Sequence, residues 1–152
     1  MAATQDSLPP TPPLVVLDAS AWVSRILLQD SNHPAAMSWI NRHLLDGGLF
    51  VAPILLVTET AATVSRITGL PTRGRLAASQ LYTMPEMSLV QIDQALVDEA
   101  TELAADLKLR GADAYYVAVA RSLGLPLITF DREQLSRAAS IVATIRPQDP
   151  TN

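Results

Sequence analysis

The chain has 152 residues, 49% hydrophobic and 17% charged: enough apolar side chain for one sizeable core, and not the composition of a disordered polyampholyte. It has no cysteine and only two histidines, His33 and His43, which excludes disulfides, thiolate chemistry and a three-histidine zinc site, so any metal must rest on oxygen ligands. A formal net charge of −4 weighs against a nucleic-acid partner, although ten of the eleven basic residues are Arg, the better phosphate fork.

In chain order, Met1–Pro13 is polar and rich in proline and reads as an arm outside the fold, without the features of a signal peptide. The run Leu14–Leu17 predicts a buried strand. Ser20–Leu28 and Pro34–Leu45 predict helices, the second stopped by Gly47 and Gly48. Leu49–Ala52 is a candidate strand. Helices follow over Ile54–Ile67 and Thr72–Tyr82, separated by Gly69 and Pro71. Ser88–Ile92 reads as a strand, and Asp93–Leu109 as an amphipathic helix with Leu96, Ala100, Leu103 and Leu107 on one face. Gly111 breaks it, and Asp113–Leu123 forms another helix. Leu127–Phe130 is a strand, Arg132–Arg137 a short helix and Ile141–Val142 a last strand, before a polar tail from Arg146 to Asn152. The folded body is thus one domain over 14–145, and no apolar run approaches the roughly 18 residues of a membrane span. The expectation is a cytoplasmic protein with no membrane association.

Strands alternating with helices imply an α/β fold on a parallel sheet, whose sites lie outside the carboxyl ends of the strands. Asp18 follows the first strand and Asp131 follows Leu127–Phe130, so parallel strands would project both from one sheet edge. Each aspartate also has a structural explanation. Asp18 and Asp113 can cap the helices they precede or open, and Asp131 with Gln134 has the spacing of a capping box. Glu59 has no cap to explain it. It lies mid-helix beside Leu55, Leu56, Ala62 and Thr63, where a carboxylate is costly to bury without a partner, so it sits either on a solvated helix edge or against a metal or another cation. Four carboxylates brought together would repel one another and raise their own pKa values, and a hard divalent cation removes that cost.

These pieces resemble the PIN-domain family, and within it the VapC-type toxin ribonucleases. The resemblance rests on Val-Val-Leu-Asp-Ala-Ser-Ala-Trp near the start, Glu59 in the third helix, Leu-Arg-Gly-Ala-Asp-Ala-Tyr-Tyr-Val-Ala-Val-Ala, and Leu-Pro-Leu-Ile-Thr-Phe-Asp-Arg-Glu. It runs from about Leu14 to about Val142; the Pro-rich arm is not part of the core family pattern. It implies a three-layer α/β/α sandwich with a central, mainly parallel sheet. It implies an endoribonuclease dependent on Mg2+ or Mn2+, the toxin of a toxin–antitoxin pair, acting as a homodimer with helices Ile54–Ile67 and Thr72–Tyr82 as interface elements. By motif, Asp18, Glu59, Asp113 and Asp131 take the family's catalytic, metal-binding positions. Asp18 and Asp113 would be direct ligands; Glu59 and Asp131 would ligate through water or orient the attacking water. Ser20 and Thr129 match positions that line such sites.

Arg66, Arg73, Arg75, Arg110 and Arg132 are candidate RNA contacts, against the alternative of a solvated charged surface; Arg110 and Arg132 could instead pair with the carboxylates. One of Tyr115 and Tyr116 could stack a base, with core packing the expectation for at least one. Trp22 and Trp39 read as core or interface anchors, and the two histidines as surface residues. Two other functions fit the same residues: a PIN nuclease working in RNA maturation or on structured DNA outside any toxin pair, and a non-catalytic PIN-fold binding module.

Overall fold

A computed structural model describes residues 13–148, so the expected arm before Pro13 and the end of the expected tail, from Asp149, lie outside the described residues. Twelve elements follow one another: β1 (Leu14–Leu17), α1 (Ala19–Ile26), α2 (His33–Leu45), β2 (Leu49–Pro53), α3 (Leu55–Thr68), α4 (Pro71–Thr83), β3 (Met87–Val90), α5 (Gln94–Leu107), α6 (Gly111–Leu123), β4 (Leu127–Ile128), α7 (Arg132–Arg137) and β5 (Thr144–Ile145). The strands form one sheet in the order β3-β2-β1-β4-β5, every pair parallel. Parallel neighbours require crossover connections, and here helices supply each one. The result is the expected α/β/α sandwich.

The strand order reverses direction at β1. The chain leaves β1 for β2 on one side, and β4 returns to pair with β1 on the other, Val16 opposite Leu127 and Leu17 opposite Ile128. A crevice opens beyond the carboxyl ends of strands at such a switch point. Asp18 follows β1 and Asp131 opens α7 just beyond β4, so topology alone carries both to that crevice.

The sheet is buried by Val15, Val16, Leu17, Phe50, Val51, Leu127 and Ile128 on its strands. Helix α6 packs against β1, β2 and β4, which is why Ala114 and the whole run Tyr116–Ala120 are buried. Small side chains dominate that run and let the helix lie close to the sheet. Trp22 is in the core, and Trp39 is half-buried and stacks on His43. Helices α3 and α4 cross at Gly74, where a Cβ would come within 2.4 Å of the Ala61 carbonyl oxygen and 2.0 Å of Ser65 Oγ. Among the described residues no helix is long and apolar enough to cross a membrane.

The expected last strand is corrected: Ile141 and Val142 lie in a turn, both backbone N–H groups donating to the Ala138 carbonyl, and the strand is Thr144–Ile145. Val142 is apolar because it is buried from that turn, a burial that periodicity over two residues cannot distinguish from a strand. The strand expected over Leu127–Phe130 is shorter, since β1 gives way to α1 at Ala19 and β4 loses its neighbour on that side. Gly111 opens α6 instead of preceding it, so Asp113 is in the first turn and is not the cap; Arg110 occupies that position. Arg146 and Pro147, expected in the tail, pack on the body: Pro147 is buried, and Arg146 stacks over Phe130 and donates to its carbonyl oxygen at 3.1 Å.

Candidate functional site

Asp18 is 3% exposed at the junction of β1 and α1. As α1's N-cap, its Oδ2 accepts from Ser20 N–H at 3.2 Å, from Ser20 Oγ at 2.6 Å and from Thr129 Oγ1 at 2.9 Å. The same two hydroxyls reach the next segment: Ser20 Oγ accepts from Phe130 N–H, and Thr129 Oγ1 from Asp131 N–H, each at 3.0 Å. Asp18, Ser20 and Thr129 therefore form a polar seam joining the carboxyl ends of β1 and β4. The cap reading and the site reading of Asp18 are compatible, because all three bonds fall on one carboxylate oxygen.

Asp131 caps α7, its Oδ1 accepting from Gln134 N–H at 2.9 Å. The capping box is half-formed. Its return bond would run from Asp131 N–H to the Gln134 side-chain oxygen, but that N–H donates to Thr129 Oγ1 instead. Gln134, fully buried, instead donates from Nε2 to Asp113 Oδ1 at 3.2 Å. Its Oε1 is buried without a hydrogen-bond partner among the described residues.

Asp113, 7% exposed, accepts from Arg110 Nε at 2.7 Å on its other oxygen. Arg110 Nη2 donates to Asp131 Oδ2 at 2.6 Å, so one guanidinium bridges two carboxylates. Burial pushes the Asp113 carboxyl up; Arg110 opposes this, and repulsion from Asp18 and Asp131 adds to it. The hydrogen bond to Asp113, then the charges of Asp113 and Asp131, in turn push the Arg110 guanidinium up, keeping it charged.

Glu59 is half-buried on α3 and accepts from the Tyr116 hydroxyl at 2.5 Å. Burial raises its pKa, the Tyr116 bond lowers it, and Asp18 and Asp113 raise it again by repulsion. The four acids, from four separated stretches of sequence, are thus electrostatically coupled in one region: Glu59 feels Asp18 and Asp113, and Asp113 feels Asp18 and Asp131.

Beside them lies a cleft of about 610 Å³ lined by Ser20, Glu59, Arg66, Arg110, Phe130 and Asp131, among others, while Asp18 and Asp113 are not part of its lining. Of the expected basic contacts, Arg66 and Arg110 are on this cleft. Arg73 lines a separate groove with Leu27 and Leu76, and Arg75 and Arg132 are exposed outside both linings. Tyr116 is a core residue and not a stacking platform, and Tyr115 is half-buried.

The chemistry of the donors suits a hard divalent cation: carboxylates, hydroxyls and no sulfur. Among the described residues no three acidic or histidine side chains are grouped so that together they could hold a metal ion. That arrangement is compatible with magnesium or manganese, which are usually held by one or two carboxylates, with waters and phosphate oxygens completing the shell. Arg110 places a positive charge between Asp113 and Asp131.

Sequence reasoning missed the roles of Tyr116 and Gln134. The signal for Tyr116 was its place three residues after Asp113, which puts both on one helical face. Gln134 was hidden by its fit to a capping box. The partners of Arg146, Phe130 and Asn32, had no sequence signal at all.

The family model described as PIN domain matches residues 15–141. No curated protein matches the chain by sequence. Among solved structures, VapC20 from Mycobacterium tuberculosis, a toxin that cleaves the sarcin-ricin loop, superposes with a TM-score of 0.69 at 19% identity, covering 88% of this chain and 99% of that one. A toxin–antitoxin complex from Klebsiella pneumoniae gives 0.61 at 18%, covering 90% and 99%. VapBC2 from Rickettsia felis, solved with a DNA fragment from its promoter, gives 0.64 at 12%, covering 89% and 99%. At such identities these likenesses carry the fold.

Proposed function

The chain belongs to the PIN-domain family, and from that premise we propose that it is a Mg2+- or Mn2+-dependent endoribonuclease of the VapC type, the toxin of a toxin–antitoxin pair. The observation that carries the reading is the hydrogen-bond chain that joins Asp18 through Thr129 to Asp131, and Asp131 through Arg110 to Asp113, at the sheet's switch point, with Glu59 and Asp131 lining the cleft beside it. The neighbours described as toxins or toxin–antitoxin complexes favour the same reading, with a cytoplasmic RNA as substrate and an antitoxin as partner.

Asp18 and Asp113 would hold the ion, with Glu59 and Asp131 acting through water. Such an ion, when bound, acidifies water, clamps the phosphate and shields charge on the leaving oxygen. The chain's own residues set the rest. Ser20 and Thr129 hold one oxygen of Asp18, which fixes its rotamer and directs the other to the ligand. Glu59, on the cleft, orients the attacking water. Arg66 and Arg110 meet phosphate oxygens along the cleft; Arg73, Arg75 and Arg132 are proposed only as outlying phosphate contacts. The exposed apolar side chains Ile67, Leu70, Leu76 and Tyr82 on or beside α3 and α4 suit the proposed homodimer, which light scattering at high concentration would register as a doubled mass.

The test is incubation of the pure protein with tRNA and rRNA fragments and manganese, with and without chelator. Cleavage that chelator abolishes is the expected result, and Asp18→Asn should bind RNA yet cut it poorly. RNA left intact in every arm overturns the reading.

A further inference from the structure

We propose that Tyr116 is a positioning residue of the acidic centre: its hydroxyl fixes Glu59 from within the core and so presents the remaining carboxylate oxygen to the cleft. The inference rests on the metal-nuclease reading of the site and goes beyond it by naming a residue that touches neither substrate nor ion.

Three observations carry it. Tyr116 has no solvent exposure, so its hydroxyl must find its partner inside the protein, and the partner is Glu59 Oε2 at 2.5 Å. A phenol has one proton to give, and here it goes to a carboxylate that also lines the cleft. Tyr116 also follows Asp113 by three residues, so one face of α6 supplies a proposed ligand and the donor that orients another acid on α3. Glu59 is otherwise a long side chain on a helix surface with several rotamers. The bond selects one and holds it there, as outer hydrogen bonds do around metal centres. Burial and the neighbouring Asp18 and Glu59 push the phenol far above its ordinary pKa, which keeps it a neutral donor.

A purely structural tyrosine would leave the same hydrogen bond in place, so the test must read the site. Tyr116→Phe removes one oxygen and keeps the ring in the core. It is compared with wild type, Glu59→Gln and the double variant for manganese affinity by calorimetry, for kcat and KM on a cleaved RNA fragment, and for urea stability. The expected result is a loss of about 10–100-fold in kcat and a weakening of about tenfold in manganese affinity, with KM within about twofold. In the Glu59→Gln background the same change should have an effect under about twofold, since the oriented carboxylate is gone. Tyr116→Phe equal to wild type in kcat and manganese affinity, whatever happens to its stability, overturns the inference and leaves the nuclease reading intact. If wild type binds manganese but cuts no RNA, a weaker affinity in Tyr116→Phe sustains the inference while the nuclease reading falls. Wild type that neither binds manganese nor cuts overturns both.

Discussion

The acidic rim and the α3–α4 hairpin share a helix but are built on opposite principles. At the hairpin, Gly74, Ala77 and Ala78 remove side-chain bulk so that two helices touch, and the contact is held by packing alone. At the rim, carboxylates crowd a region that repels them, and Arg110, Tyr116 and a few hydroxyls offset only part of the cost. The first region serves stability. The second is held at the expense of stability, and the proposed function is what would give its charge a use. Variants in the two regions should therefore separate activity from stability in opposite senses.

The largest expected effect is at the rim. Asp113→Asn should lower kcat by on the order of 10²–10⁴-fold, measured on a cleaved RNA fragment with manganese, because a proposed direct ligand loses its charge. The same variant should not lose stability at neutral pH in the absence of metal, since a repelled, buried charge has been removed. An Asp113→Asn protein that cuts normally would end this asymmetry.

Next comes the hairpin. Gly74→Ala puts a Cβ against a backbone carbonyl that cannot rotate away, so α3 and α4 must separate. Overpacking of this kind costs about 1–3 kcal/mol, which outweighs the gain of roughly 1 kcal/mol from helix propensity. Urea unfolding should report that loss, with kcat per folded molecule unchanged.

A smaller effect follows from pH. Glu59 and Asp113 have raised pKa values in the folded protein, so the folded state binds more protons than the unfolded chain across the interval between the two. Their contribution to stability is therefore lost as pH rises through the folded values and regained as pH falls toward the ordinary carboxylate range. Without metal, the melting temperature should fall between mildly acidic and neutral pH, and manganese should reverse the fall. A metal-free protein most stable at neutral pH would contradict this sign.

The smallest effect is at Arg110. Arg110 itself is largely solvent-exposed although its two carboxylate partners are not, and ion pairs with such an exposed partner contribute up to about 1 kcal/mol. Arg110→Ala should tighten manganese by up to about fivefold, as a competing cation leaves, while KM for RNA rises. Weaker manganese binding in that variant would show that the guanidinium supports the site instead of competing for it.

Periodicity and stop signals placed eleven of the twelve elements, because helices this long and strands this apolar announce themselves through burial patterns over many residues. The two-residue strand β5 escaped, since Ile141 and Val142 are as apolar as any strand and only the turn on Ala138 decides their geometry. Asp18, Glu59, Asp113 and Asp131 could be named from the sequence because their types and order are local features set against a recognisable family pattern. Of their partners only Arg110 could. That Gln134 reaches Asp113 and not Asp131, that Arg110 reaches on from Asp113 to Asp131, and that Tyr116 reaches Glu59 from another helix all depend on side chains meeting across segments from 21 to 57 residues apart. Chain order determined which chemical groups this protein carries and which elements hold them. The packing of α6 on β1, β2 and β4, of α3 on β2 and of α7 on β5 decided which of those groups touch, because contact distance is a property of the folded layers and not of spacing along the backbone.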